Sequence, residues 1–232
     1  MHGEQDSPSR GDRHARAASA ALAFGCGDSP TSPTDTTTGG TTTGGTTNAA
    51  CAVTPTETIG PYPSLTDLIR SDIREGEPGT PLTLTITLVN TNNSCSPISG
   101  ANIEIWQCDS DGNYSQYGNS RSATFLRGIQ TTDANGQVTF TTVYPGWYQG
   151  RATHIHVEVV RNGASVKVTQ IAFPESTNNA VYATGVYASR GSNPTTNTRD
   201  NIFADSLNSE LATVSGDPAG GLSATFRIGI AA

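Results

Sequence analysis

Two histidines two residues apart, His154 and His156, lie in the stretch PGWYQGRATHIHVEV (145–159), directly after Tyr148 and Arg151. In an extended chain alternate side chains leave the same face. Both imidazoles therefore share one face, and Ile155, Val157 and Val159 take the other. Two imidazoles about 7 Å apart at the backbone can converge on a single ion. Two ligands hold a catalytic metal poorly, and no compact Cys, Asp or Glu motif lies nearby. Tyrosines are the donors at hand: Tyr114 in DSDGNYS, Tyr117, Tyr144 and Tyr148. A phenolate is a hard anionic oxygen ligand of the kind found at ferric centres. A His/His/Tyr/Tyr set thus favours non-haem Fe(III) over Zn²⁺. The plain alternative is a polar strand face turned to solvent. The other two histidines, His2 and His14, fall in a segment read as a tail.

The elements that must position these side chains read as strands. PLTLTITLVN from Pro81 alternates strictly, with Leu82, Leu84, Ile86 and Leu88 on one face and threonines on the other, the mark of a half-buried strand. Further strands are expected at 101–108, 136–146, 154–160, 165–173 and 223–230, with a hairpin turn at 161–164. Only 63–75 and 205–214 look briefly helical. The chain has a single Lys and a single Met but abundant Thr, Gly, Asn and Ser, a composition suited to strands and turns. The expected fold is all-β: a β-sandwich of two mainly antiparallel sheets with long loops at the active site and a disordered N-terminal tail.

A net charge of −7 and a pI near 4.9 exclude a nucleic-acid binder built on a basic stripe. No apolar run of about eighteen residues exists to span a membrane as a helix. Composition changes near residue 50. Residues 36–47, TTTGGTTTGGTT, carry no apolar side chain and read as a flexible linker. Before them, Arg13 and Arg16 precede the short apolar run Ala17–Phe24 and then Gly25-Cys26, which resembles a bacterial lipoprotein signal with Cys26 as lipid anchor. The competing reading is a tail with a stray cysteine. Residues 1–50 are accordingly divided from a folded domain at 51–232. Export would permit one disulfide among Cys51, Cys95 and Cys108. A strand rising on the order of 3.3 Å per residue carries Cys108 away from Cys95, so Cys51–Cys95 with a buried Cys108 thiol is preferred.

The segments PISGANIEIWQCDSDGNYS, FLRGIQTTDANGQVTFTTVYPGWYQGRATHIHVEV, QIAFPE and VYASRGSNPTTNTRDNIF, with TPTETIGPYP (54–63) ahead of them, together resemble the intradiol ring-cleavage dioxygenases, especially their exported branch. The resemblance covers roughly 51–232. It implies a β-sandwich holding one Fe(III) per chain through Tyr114, Tyr148, His154 and His156. Tyr148 would be the axial phenolate that leaves when substrate binds, with His154 opposite, while Tyr114 and His156 stay. Arg151 would lie over the substrate ring, Gln170 beside it, and Tyr62 near the substrate entrance. The implied partners are a small aromatic diol and O₂, and the product a muconate-type diacid from cleavage between the two hydroxyl-bearing carbons.

Each assignment has a bland counterpart: core-edge aromatics for Tyr148 and Trp147, a solvent-facing ring for Tyr114, and a mere carboxylate partner of Asp133 or Glu158 for Arg151. Trp106 reads as core. A different class, a non-catalytic prealbumin-like or adhesin-type surface module, shares the strand-and-turn cadence but leaves Arg151, His154 and His156 unexplained. Arg121, Arg127 and Arg190 are the cations that could meet a carboxylated ring. Oligomeric state stays open, since no long apolar helix or heptad is present to mediate pairing.

Overall fold

The alternation in β1 (Pro81–Asn90) becomes architecture directly. Leu82, Leu84, Ile86 and Leu88 are buried, whereas Thr83, Thr85 and Thr87 remain at least partly exposed. Each aliphatic side chain so buried contributes roughly 1.5–3 kcal/mol relative to an exposed one. A computed structural model describes residues 51–232. The signal-like segment, Cys26 and the Thr/Gly tract lie outside the described residues.

Eight further strands follow: β2 (Ser96–Pro97), β3 (Asn102–Trp106), β4 (Arg127–Thr131), β5 (Gln137–Val143), β6 (His154–Arg161), β7 (Ala164–Ala172), β8 (Thr213–Asp217) and β9 (Gly221–Ile230). One sheet runs β2-β1-β9-β8, with β5 also paired to β1; the other runs β4-β3-β6-β7. Among the named strands, β1 with β9 is the parallel pair and the rest are antiparallel. The two sheets close a sandwich whose core includes Leu84, Phe140 and Ile228 from one and Ile105, Ile155 and Val157 from the other. The β6–β7 hairpin turns where expected, with Asn162 and Gly163 both at positive φ (52° and 76°), as a tight two-residue turn requires. Cys51 and Cys95 form a disulfide, and Cys108 is a buried free thiol.

The sequence expectation fails at 63–75, which is not helical. Its backbone is spent on neighbouring strands instead: Ile129 N donates to Leu68 O (2.7 Å), Arg70 N to Ile129 O (3.1 Å), Thr141 N to Ser71 O (2.9 Å) and Leu126 N to Ile73 O (2.7 Å). A lone helix of that length is marginal in water, and strand edges offer its amides firmer partners. Ile73 is buried by this arrangement, while Ile69 is left 86% exposed. At 205–214 the helix shrinks to α2 (Leu207–Glu210), and β8 takes over from Thr213. The helix Glu175–Tyr182, here α1, and strand β4 were not expected. No helix among the described residues is long and apolar enough to cross a membrane.

Candidate metal centre

The face of β6 opposite the sandwich core is not in solvent. His154 is 3% exposed and His156 0%, which removes the polar-surface alternative. Register decides their neighbours. Across the sheet His156 pairs with Trp106 of β3 on one side and Gln170 of β7 on the other, so all three side chains share that face. Trp106, expected in the core, is fully buried and stacks on the His156 ring, with centroids 5.0 Å apart and planes within 1°. It clusters with Cys108 and Tyr114 rather than with the sandwich interior. Above His156 crosses the segment 54–62. A Cβ at Gly60 would come within 2.8 Å of His156 Cε1, and its φ of +76° also suits glycine.

Two loops deliver the tyrosines. In the turn at 109–114, Asp109 Oδ1 accepts from the amides of Asp111 (2.9 Å) and Asn113 (2.8 Å), the local closure that Asp favours. The Pro145-Gly146 loop lies directly against that turn: Gly146 N donates to Asp109 O (3.1 Å), and a Cβ at Gly146 would sit 2.2 Å from the same oxygen. Glycine thus allows the two loops to touch, and the rings of Tyr114 and Tyr148 stand 5.9 Å apart. Arg190 stacks over Trp147 at 4.3 Å and donates to the Trp147 (2.6 Å) and Ser110 (3.3 Å) carbonyls, steadying the residue before Tyr148. Tyr62 stacks on Tyr114 (4.6 Å) and meets Tyr148 edge-on (6.3 Å).

The polar atoms of four residues converge. His154 Nδ1 donates to Ala152 O at 2.6 Å; a carbonyl can only accept, so the Nε2 of His154 carries a lone pair. That single lone pair faces His156 Nε2 at 3.2 Å, Tyr148 Oη at 3.3 Å and Tyr114 Oη at 3.4 Å. One lone pair cannot serve three donors. Adjacent donor atoms held about 2 Å from one ion lie roughly 3 Å apart, which the three distances from His154 Nε2 match. Burial, then the Arg151 cation, pushes the His154 pKa down to about 3, and burial with the His154 and Arg151 neighbours takes His156 well below its usual value. Both rings are neutral near pH 7. Burial raises both tyrosines, Tyr114 strongly; at Tyr148 the Arg151 cation pulls the other way. A bound polyvalent cation is what would let these phenols ionise. The donor set fits a hard trivalent ion. Among the described residues no group of three or more His, Cys, Asp or Glu side chains could hold a metal, so a centre here depends on the tyrosines.

Arg151 donates through Nε to Asp200 (2.8 Å) and through Nη2 to Gln170 (2.6 Å); Asp133 and Glu158 are not its partners. Gln170 Nε2 donates onward to Thr58 O (2.9 Å) in the crossing segment. The competing tyrosines are used elsewhere: Tyr144 Oη donates to Asn178 (2.6 Å) and Tyr117 Oη to Pro63 O (2.8 Å). Of the cations suggested for a carboxylated ring, Arg127 is fully buried and donates to Ser115, Tyr62 O and Ser64, Arg190 is engaged with Trp147, and Arg121 is exposed. Sequence reasoning missed Asp200 and the role of Trp106. The only signal for Trp106 was its register against His156, which no local pattern announces.

Fold and cluster together define a class, a β-sandwich with a buried two-histidine, two-tyrosine donor set. A family model described as Dioxygenase matches residues 60–205. The chain is 34% identical to an intradiol ring-cleavage dioxygenase from Tetranychus urticae, over 78% of this chain and 95% of that one, with a TM-score of 0.70. It is 30% identical, over 77% of this chain and 98% of that one, to the dioxygenase domain of a dioxygenase–carbohydrate-binding protein fusion from Streptomyces sp. SirexAA-E, with a TM-score of 0.60. It is also 35% identical over 115 residues to the catechol 1,2-dioxygenase of Candida albicans; that match covers 40% of this chain and 38% of the relative's length. The chain belongs to the intradiol ring-cleavage dioxygenase family.

Proposed function

We propose that the protein is a non-haem Fe(III)-dependent dioxygenase that cleaves catechol-type rings with O₂ between the two hydroxyl-bearing carbons, giving muconate-type diacids. The observation that carries this is the lone pair at His154 Nε2, faced by three further polar atoms at 3.2–3.4 Å. Tyr114, Tyr148, His154 and His156 would hold one ferric ion. When bound, that ion supplies Lewis acidity toward a chelated diol and draws electron density from its ring.

The remaining work falls to the chain. Ala152 O holds the His154 proton at Nδ1 and keeps Nε2 available. Tyr114 is buried and Tyr148 only partly so, which suits Tyr148 to the proton transfer. As a phenolate, Tyr148 Oη would take a proton from the diol. Its neutral phenol is the form that burial favours. Arg151, a permanent cation beside Tyr148, stabilises negative charge developing on the substrate. Tyr62 lines the approach, and Gln170 acts on the ring only through the Arg151 guanidinium that it holds.

Export, with a lipid anchor at Cys26, is part of the same proposal. The Cys51–Cys95 disulfide supports it, because such bonds persist in oxidising compartments. The mass of native protein extracted from membranes tests the anchor, and an unmodified Cys26 thiol there rules it out. The activity is tested by the visible spectrum of ferric-loaded protein, before and after anaerobic catechol. Tyrosinate–Fe(III) charge transfer should colour it red-brown, the band should shift on catechol, and Tyr148→Phe should alter it. A protein that stays colourless after ferric and ferrous loading defeats the proposal.

A further inference from the structure

We propose that Asp200 is a positioning residue for this reaction, holding the Arg151 guanidinium at the site through a buried carboxylate; the inference rests on the dioxygenase reading above. Asp200 is 0% exposed. An ionised carboxylate removed from water costs several kcal/mol unless its oxygens are matched by a cation and hydrogen bonds. Here they are matched on both sides. Oδ2 accepts from Arg151 Nε (2.8 Å) and from Ala152 N (2.6 Å), and Oδ1 accepts from Ile202 N (2.8 Å). Burial opposes ionisation, but the hydrogen bonds from Ala152 and Arg151 hold the pKa below the ordinary carboxylate value.

Two branches of the site leave this one carboxylate. The first is the guanidinium. With Nε on Asp200 and Nη2 on Gln170, two donors in the plane are occupied, so the group cannot rotate about its last bond. The Gln170 amide then reaches Thr58 O in the segment that crosses His156, and Phe203 lies beneath the cation at 5.9 Å. The second branch is the 151–152 peptide unit. Its N–H donates to Asp200, and the carbonyl of the same Ala152 fixes the His154 proton. A long arginine side chain has many rotamers open to it. Without Asp200 the charge of Arg151 would be spread over many orientations, and its stabilisation of substrate charge would fall accordingly.

Asp200→Asn tests the charge: its single amide oxygen can take the Oδ2 place and accept from both Arg151 and Ala152, but the charge that orients Arg151 is gone and the amide NH2 meets the Ile202 N–H. The expected result is an iron content and visible band like the parent's, with kcat/KM for catechol lowered by about 10- to 100-fold. In an Arg151→Gln background the same substitution should add little, since both changes remove one interaction. In metal-free protein, the Arg151 Nε–H resonance, identified by its absence in Arg151→Gln, should be protected from exchange in the parent and lose that protection in Asp200→Asn. Losses that multiply in the double variant, or a kcat/KM unchanged by Asp200→Asn, overturn the inference. If Asp200→Asn does not fold, Asp200→Glu enters the same cycle and is judged by the same rule. A parent protein that does not turn over catechol-type diols instead defeats the dioxygenase reading, and the resonance measurement still decides whether Asp200 holds Arg151.

Discussion

Strand β6 has two buried faces built on opposite principles. Ile155, Val157 and Val159 enter the sandwich core, where apolar contact is non-directional and any well-shaped aliphatic neighbour serves. His154 and His156 enter a space lined by Trp106, Tyr62, Tyr114 and Tyr148, where every contact is directional and several are poorly satisfied. His156 Nδ1 and Trp106 Nε1 have no hydrogen-bond partner, and one lone pair at His154 faces three polar neighbours. The first face stabilises the fold. The second is held in place by it, against its own preference for water.

The two faces differ most sharply at His156. His156→Leu should abolish the ferric absorbance and turnover, while the melting temperature of metal-free protein stays level or rises, because an apolar side chain has replaced a poorly satisfied buried imidazole. A large loss of metal-free stability would show that the cluster supports the fold after all. On the other face, Leu84→Ala should cost about 2–5 kcal/mol in denaturant unfolding and leave the visible band of the folded fraction unchanged. A displaced band would mean that the core tunes the site.

A pH-dependent effect is expected from Glu210, a buried polar group outside the cluster. It accepts from Ser206 (2.5 Å) and Thr169 (3.3 Å), and burial, then the charge of Glu57, raises its pKa to about 7 from 4.5. The folded state therefore keeps a proton that the unfolded chain has released. Its contribution is fully present below pH 4.5 and declines as pH rises through about 7, by at most about 1.4 kcal/mol per pH unit. Glu210→Gln should flatten the parent's stability loss between pH 4.5 and 7. Parallel stability curves would show that Glu210 titrates normally.

Much of this was legible locally. Strict alternation in 81–90 announced β1, and His-x-His after Pro-Gly-x-Tyr announced a shared face with phenols nearby, because side-chain direction along a strand follows from backbone geometry alone. The disulfide preference also held, since strand rise limits which cysteines can meet. The segment 63–75 misled for the converse reason: its apolar spacing suited a helix, but its amides found partners on β4 and β5, which local propensity does not weigh.

The sequence by itself determined which residue types were available, the two faces of each strand and the loops able to turn sharply, all consequences of bonded geometry over a few residues. Only the tertiary structure decided that Trp106 stacks on His156, that Gly146 lets two loops touch so that Tyr114 and Tyr148 meet, and that Asp200 rather than Asp133 or Glu158 receives Arg151. Those contacts join residues far apart in the chain. They exist because strand register and buried surface bring distant backbones together, and neither quantity is written in any short stretch of sequence.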